Sequence, residues 1–193
     1  MIGWVRPVAA VIAITAADVA VAHAPMGEGV SGGLLHPYLV PAHAMSLVAL
    51  GLFIGSRRDQ GIPLLAFAAA LIAGLVALTF AIAETPAAEI LLGNTGLMGV
   101  LLAADWNPPK PFGWIIAAVT GGMIALDSPP ETISVQEADL MLLGIGLGAL
   151  SALGAVIGGA GYLTRPWQRL GVRVVGSWIA ASAILVLALT LVR

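Results

Sequence analysis

The 193-residue chain contains no cysteine and few charged residues. Without cysteine it can form neither a disulfide, nor a thiolate metal site, nor a cysteine-ligated iron–sulfur cluster. Charged residues make up only 9% of the chain, whereas soluble domains carry about 25%. The net charge of −2 provides no basic surface for nucleic acid. With 60% hydrophobic residues and a mean hydropathy of +1.03, the chain requires a lipid bilayer as its solvent.

Several motifs of catalysis and nucleotide binding are also missing. The chain has no G-x-S-x-G nucleophile turn, no H-E-x-x-H zinc motif and no Walker-type phosphate loop. We therefore expect a protein that is not an enzyme and not a nucleotide-driven pump.

Apolar segments of roughly membrane-spanning length, about 20 residues each, follow one another along the chain. They predict an all-α, polytopic membrane helical bundle of about seven transmembrane helices, in a single membrane domain covering residues 1–193. A six-helix core would occupy residues 34–192, and no linker is long enough to hold a second domain. The predicted helices are Pro7–Ala22, Leu34–Gly55, Ile62–Ala83, Ala88–Ala104, Phe112–Leu126, Leu140–Leu163 and Val172–Val192.

Basic residues predict the orientation of the bundle. Alternating crossings place seven of the eight basic residues on one side of the membrane, and only Arg193 falls on the other side. Lysine and arginine concentrate in short cytoplasmic loops. We therefore expect a multi-pass protein of a bacterial inner membrane, with its acidic loops facing outward.

The first apolar segment has two interpretations, which the residues leave open. Arg6, a short apolar stretch and the A-x-A element at residues 20–22 are typical of a cleaved signal peptide over residues 1–22. The alternative is a retained first transmembrane helix. Cleavage would make His23 the N-terminus, where its α-amine and imidazole form a chelating pair suited to nickel or copper.

The other two histidines lie in the second apolar segment. On a straight helix His36 and His43 would share one face but stand about 10 Å apart, too far to bind one ion. Pro37 and Pro41 could bring them together by distorting the helix. Histidine within a membrane bundle is a candidate functional residue. The alternative is two polar residues at the mouth of the helix, hydrogen-bonded to their neighbours.

Acidic residues at the ends of apolar segments are the remaining candidates. A carboxylate there is costly unless it is paired, protonated or hydrated. The alternative is that these are solvated loop residues. The four acids are Asp18, Glu89, Asp127 and Asp139.

Small-residue pairs one helical turn apart favour close contact between helix backbones. They are Gly51 and Gly55, Gly144 and Gly148, and Gly154 and Gly158.

The segment from His23 to Gly55 resembles the HupE/UreJ family, membrane proteins encoded with hydrogenase and urease systems. The likeness rests on a histidine at the signal-cleavage point, on the run from Gly33 to Pro37, and on His43 seven residues after His36. The resemblance implies a six-helix permease for nickel or cobalt, with His23, His36, His43 and Asp127 as metal ligands. The chain departs from the family pattern at four positions. Where the family has one acid and three histidines, this chain has Ala42, Thr120, Ile124 and Ser151.

Two functions are consistent with these features. The first is a permease whose cargo is a divalent transition metal such as nickel or cobalt. In it His36 and His43 would be ligands or proton carriers, with Asp127 opposite them. The second is a non-transporting membrane subunit that packs against a partner membrane complex.

Overall fold

A computed structural model describes residues 29–56, 61–80, 86–130 and 134–192 of the chain. These residues form seven helices and the short connections between them. No strand occurs within these residues. The predicted helix Pro7–Ala22, together with Asp18 and His23, lies outside the described residues. The helices are α1 (Gly29–Leu39), α2 (Pro41–Gly55), α3 (Gly61–Thr79), α4 (Ala87–Ala103), α5 (Lys110–Leu126), α6 (Val135–Ala160) and α7 (Pro166–Leu191).

Length and hydropathy identify the membrane-crossing segments. Helices α3, α6 and α7 are each long and apolar enough to cross a bilayer, and α1 with α2 passes the same test as one bent span. The 17-residue helices α4 and α5 are also apolar but shorter. At 1.5 Å per residue each extends about 26 Å, slightly less than the hydrocarbon core. The prediction of an all-α membrane bundle is confirmed, and the protein is a multi-pass membrane protein.

The predicted single helix Leu34–Gly55 is instead two helices that meet at a 69° bend. Pro37 and Pro41 both lack the N–H that would continue the hydrogen-bond ladder. Val40, which precedes Pro41, adopts an extended conformation with φ −81° and ψ 112°, as residues before proline do. Pro41 then starts α2 as its first residue, where its missing donor costs nothing. The two prolines therefore explain the break.

Two other helices begin five and six residues earlier than hydropathy predicts. Helix α6 starts at Val135 rather than Leu140, because the Ser134 side chain accepts a hydrogen bond from the Glu137 backbone N–H at 3.3 Å. Helix α7 starts at Pro166 rather than Val172, since proline is favoured in a first helical turn. The first turns of these two helices are polar. A prediction based on runs of apolar residues therefore misses them.

Three helix pairs have the most extensive contacts: α3 with α5, α1 with α6, and α4 with α7. Helix α2 lies between them and contacts α6, α4, α5 and α7. Nine of its fifteen residues are buried, whereas only four of the 26 residues of α7 are buried. The large apolar side chains of α7 instead face outward, as expected for a surface that meets lipid.

Glycines set the close approach of α1 and α6. A Cβ added to Gly144 would lie 2.3 Å from the Val30 carbonyl oxygen, and one added to Gly148 would lie 2.3 Å from the Leu34 carbonyl oxygen. Gly51 and Gly55 likewise leave no room for a Cβ beside α6. Gly154 and Gly158 differ, because no described atom lies within 4 Å of an added Cβ there. Two of the three predicted glycine pairs therefore contact another described helix.

The orientation inferred from charge can be tested by single-cysteine labelling, because the chain has no cysteine of its own. Val135 and Tyr162 lie at opposite ends of α6 and are 80% and 82% exposed. On intact cells we expect an impermeant maleimide to label Val135→Cys at least tenfold more than Tyr162→Cys. Permeabilisation should make the two variants equal. The reverse pattern on intact cells would show that the orientation is inverted.

Candidate functional site

The break between α1 and α2 brings His36 and His43 together. Their ring centroids are 5.3 Å apart with planes tilted by 55°, compared with about 10 Å along a straight helix. His36 lies near the end of α1 and His43 near the start of α2, so the bend turns both rings toward the same space. The distortion that Pro37 and Pro41 make possible is what allows this contact.

His43 is fully buried and pairs with an acid from a distant part of the chain. Its Nε2 lies 2.9 Å from Oδ2 of Asp127, which directly follows α5. The C-terminal end of a helix has a partial negative charge, so a carboxylate there is electrostatically disfavoured. The side chain of Asp127 keeps 26% exposure, and the hydrogen bond from His43 offsets part of this cost. Of the three predicted acids that the structure describes, Asp127 is the one that pairs with a histidine.

Three imidazole nitrogens in this cluster are buried without a hydrogen-bond partner among the described residues. They are Nδ1 and Nε2 of His36 and Nδ1 of His43. Buried polar atoms almost always have a partner, so these nitrogens are the ones available to bind a ligand. When neutral His43 donates its Nε2 hydrogen to Asp127, its lone pair is on Nδ1. The Asp127 contact therefore leaves His43 ready to bind a cation through Nδ1.

Two other predicted acids, Glu89 and Asp139, and one substituted position lie elsewhere in the described part of the chain. Glu89 is half-buried in the first turn of α4, and Asp139 is exposed near the start of α6. Ser151, where the family resemblance places a histidine, shares a 2.8 Å hydrogen bond with the Tyr38 hydroxyl and links α6 to α1. Within the described residues, no group of three His, Asp or Glu side chains has the geometry to hold one metal ion.

A layer of neutral polar side chains lies one turn further along α2 and was not predicted from the sequence. Ser46 Oγ is 2.5 Å from Thr95 Oγ1, and Asn94 donates to Thr120 Oγ1 at 2.8 Å. Ser46, Thr95 and Thr120 are fully buried. The available signal was the presence of Ser46, Asn94 and Thr95 inside apolar segments. These bonds join α2, α4 and α5 beside the histidine pair.

Beyond this layer the interior is apolar. Leu50, Phe53, Met98 and Leu101 are buried in one hydrophobic cluster between α2 and α4. No charged side chain is buried among the described residues. The polar cluster therefore occupies only the half of the bundle that holds the start of α2 and the end of α5.

Comparison with known proteins agrees with the resemblance seen in the sequence. A family model described as HupE / UreJ protein matches residues 10–186, which include α1 to α6 and most of α7. No curated protein and no solved structure matches the chain. Because the match covers nearly the whole chain, the protein belongs to the HupE/UreJ family.

Proposed function

We propose that the protein is a permease for a divalent transition metal, with nickel and cobalt as the leading cargoes, in a bacterial inner membrane. His36 and His43 would bind the ion, and Asp127 would orient His43. The observation that carries the proposal is the facing histidine pair, three of whose buried nitrogens have no hydrogen-bond partner among the described residues. The protein would then be a transporter rather than an enzyme.

The spacing of the two rings suits one shared ion. With a metal–nitrogen distance of about 2.1 Å, two imidazoles on one tetrahedral ion have ring centres about 5 Å apart. The observed separation is 5.3 Å. Imidazole suits nickel, cobalt and zinc, and a carboxylate on the second ring nitrogen fixes the tautomer and orientation of a metal-binding histidine. Asp127 is in that position relative to His43.

Two imidazoles would hold an ion weakly, with water completing its coordination. Weak binding is compatible with transport, because a permeant ion must also leave its site. If the chain is cleaved after Ala22, the amine and imidazole of His23 would add a chelating pair to the same protein. An intact mass that includes residues 1–22 would exclude that contribution.

A second candidate function is a non-transporting subunit of a membrane complex. It is favoured by the apolar interior around Phe53 and Met98, because a hydrated ion needs a polar path through the bundle. Under this alternative the histidine pair would stabilise the bend and carry no cargo. Co-purification with a membrane enzyme, unchanged by replacement of both histidines, would support it.

Metal uptake separates the two functions. We expect cells that make the protein to accumulate labelled nickel or cobalt severalfold above empty-vector cells, and His36→Ala to remove most of this excess. Tyr38→Phe is the matched control, since Tyr38 lies two residues away but bonds to Ser151. Both variants must be present in the membrane in equal amounts. Uptake no higher than in empty-vector cells, across a series of metals, would contradict the permease proposal.

A further inference from the structure

A cavity of about 420 Å³ lies at the opposite end of the bundle from the histidine pair. We call it the basic-end cavity. It is lined by residues at the C-terminal ends of α2, α4 and α6 and by the first turns of α7. Its polar lining includes Ser56, Asp105, Asn107, Thr164, Arg169 and Arg173. The volume is in the range of small-ligand sites, roughly 300–1,000 Å³.

Two arginines dominate the charge of this cavity. Arg169 and Arg173 are one turn apart, so they lie on the same face of α7. Arg173 donates its Nε hydrogen to the Ala103 carbonyl oxygen at 3.0 Å, which ties the guanidinium to the end of α4. A guanidinium has five N–H donors, so most donors of Arg173 are not used in this bond. Among the described residues neither arginine forms a salt bridge, although Asp105 also lines the cavity.

This charge distribution favours an anion over the metal proposed for the histidine pair. The two guanidinium groups carry more formal charge than the single carboxylate of Asp105. The positive end of the α7 dipole adds to them, and the negative ends of α2, α4 and α6 oppose them. Arginine binds phosphate oxygens through paired, charge-assisted hydrogen bonds. The chemistry of the cavity is therefore that of a phosphate site.

The surface next to the arginines favours a lipid phosphate over a soluble one. Leu170, Val174 and Trp178 follow at four-residue intervals along α7, and all three are exposed. Trp106, which lines the cavity, is also largely exposed, as indole rings are at the membrane interface. Basic pockets between helices at the cytoplasmic side bind anionic headgroups. An amphiphile could place its phosphate against the arginines and its acyl chains along the apolar stripe.

We propose that the basic-end cavity binds the phosphate of an anionic phospholipid through Arg169 and Arg173. The test is native mass spectrometry of the purified full-length protein, titrated separately with phosphatidylglycerol, phosphatidylcholine and inorganic phosphate. We expect the wild-type protein to retain phosphatidylglycerol at least tenfold more strongly than phosphatidylcholine. Inorganic phosphate at millimolar concentration should not displace it.

Arg169→Gln is the sharpest variant, because Arg173 also holds Ala103 and its loss could disturb folding. We expect Arg169→Gln to weaken phosphatidylglycerol retention about tenfold, as removal of a charge-assisted hydrogen bond does. Arg165→Gln is the matched control, since it removes a nearby charge that does not line the cavity, and it should retain the lipid as the wild type does. Equal retention of the two lipids by the wild type, equal loss in both variants, or displacement by inorganic phosphate would each overturn the lipid assignment.

Discussion

Replacing His43 with alanine is expected to lower the affinity for nickel and cobalt by more than about 100-fold. Loss of an outer-shell partner of a metal ligand costs about 10–100-fold in affinity, and loss of the ligand itself should cost more. His43 is the residue that contacts both His36 and Asp127, so its removal leaves one imidazole and an unpaired carboxylate. Calorimetric titration of the purified protein, with metal analysis of the bound fraction, would measure the change.

Two further variants separate ligand loss from general damage. Asp127→Asn should weaken binding about 10–100-fold, because the side chain keeps its shape but no longer fixes the His43 tautomer as a carboxylate does. Tyr38→Phe should bind as the wild type does, since its hydroxyl bonds to Ser151 and not to a histidine. Unchanged affinity in His43→Ala, with a melting temperature close to that of the wild type, would refute the proposed ligand role.

Gly144→Ala is expected to destabilise the bundle by forcing α1 and α6 apart. The new Cβ would lie 2.3 Å from the Val30 carbonyl oxygen and 2.8 Å from the Leu34 backbone nitrogen. Backbone atoms cannot move aside as the end of a side chain can, so α1 must shift away from α6. Overpacking of this kind costs about 1–3 kcal/mol or more. Thermal unfolding in detergent should show a melting temperature lower by several degrees.

Gly154→Ala is the matched control on the same helix. An added Cβ meets no described atom within 4 Å there, and alanine is favoured over glycine in a helix by up to about 1 kcal/mol. The control should therefore be neutral or slightly stabilising. A similar loss of stability in both variants would show that the α1–α6 approach does not control the effect. Because α1 carries His36, Gly144→Ala should also weaken metal binding.

The region around Pro37 and Pro41 shows which structural features can be inferred from neighbouring residues in the sequence. Both prolines lack a backbone donor, which is a property of the residues themselves, and it made a distortion between the histidines possible. Hydropathy nevertheless predicted one continuous helix there. The helix ends were less accessible. The N-cap at Ser134 and the start of α7 at Pro166 depend on hydrogen bonds and backbone angles that a count of apolar residues does not include. Hydropathy therefore located the apolar middle of α6 and α7 but missed their first turns.

The contact between His43 and Asp127 lies beyond any local pattern, because 84 residues separate the two. The residues alone named both as candidates. The two side chains come into contact because α5 packs beside α2. That packing depends on the crossing angles of several helices together. The bond between Ser46 and Thr95 has the same origin, since it joins two helices that the chain connects only through α3.

Composition alone determined that lipid must be the solvent, because too few charges exist to cover a water-exposed surface. The order of apolar segments then determined a helical bundle, since every backbone polar group in lipid must be paired within the protein. Only the tertiary structure decided which faces of those helices meet. It turned His36 toward His43, placed Asp127 on His43, and selected Gly144 rather than Gly154 for close packing. Such contacts depend on the angle and rotation of packed helices, which are properties of pairs of segments and not of any one of them.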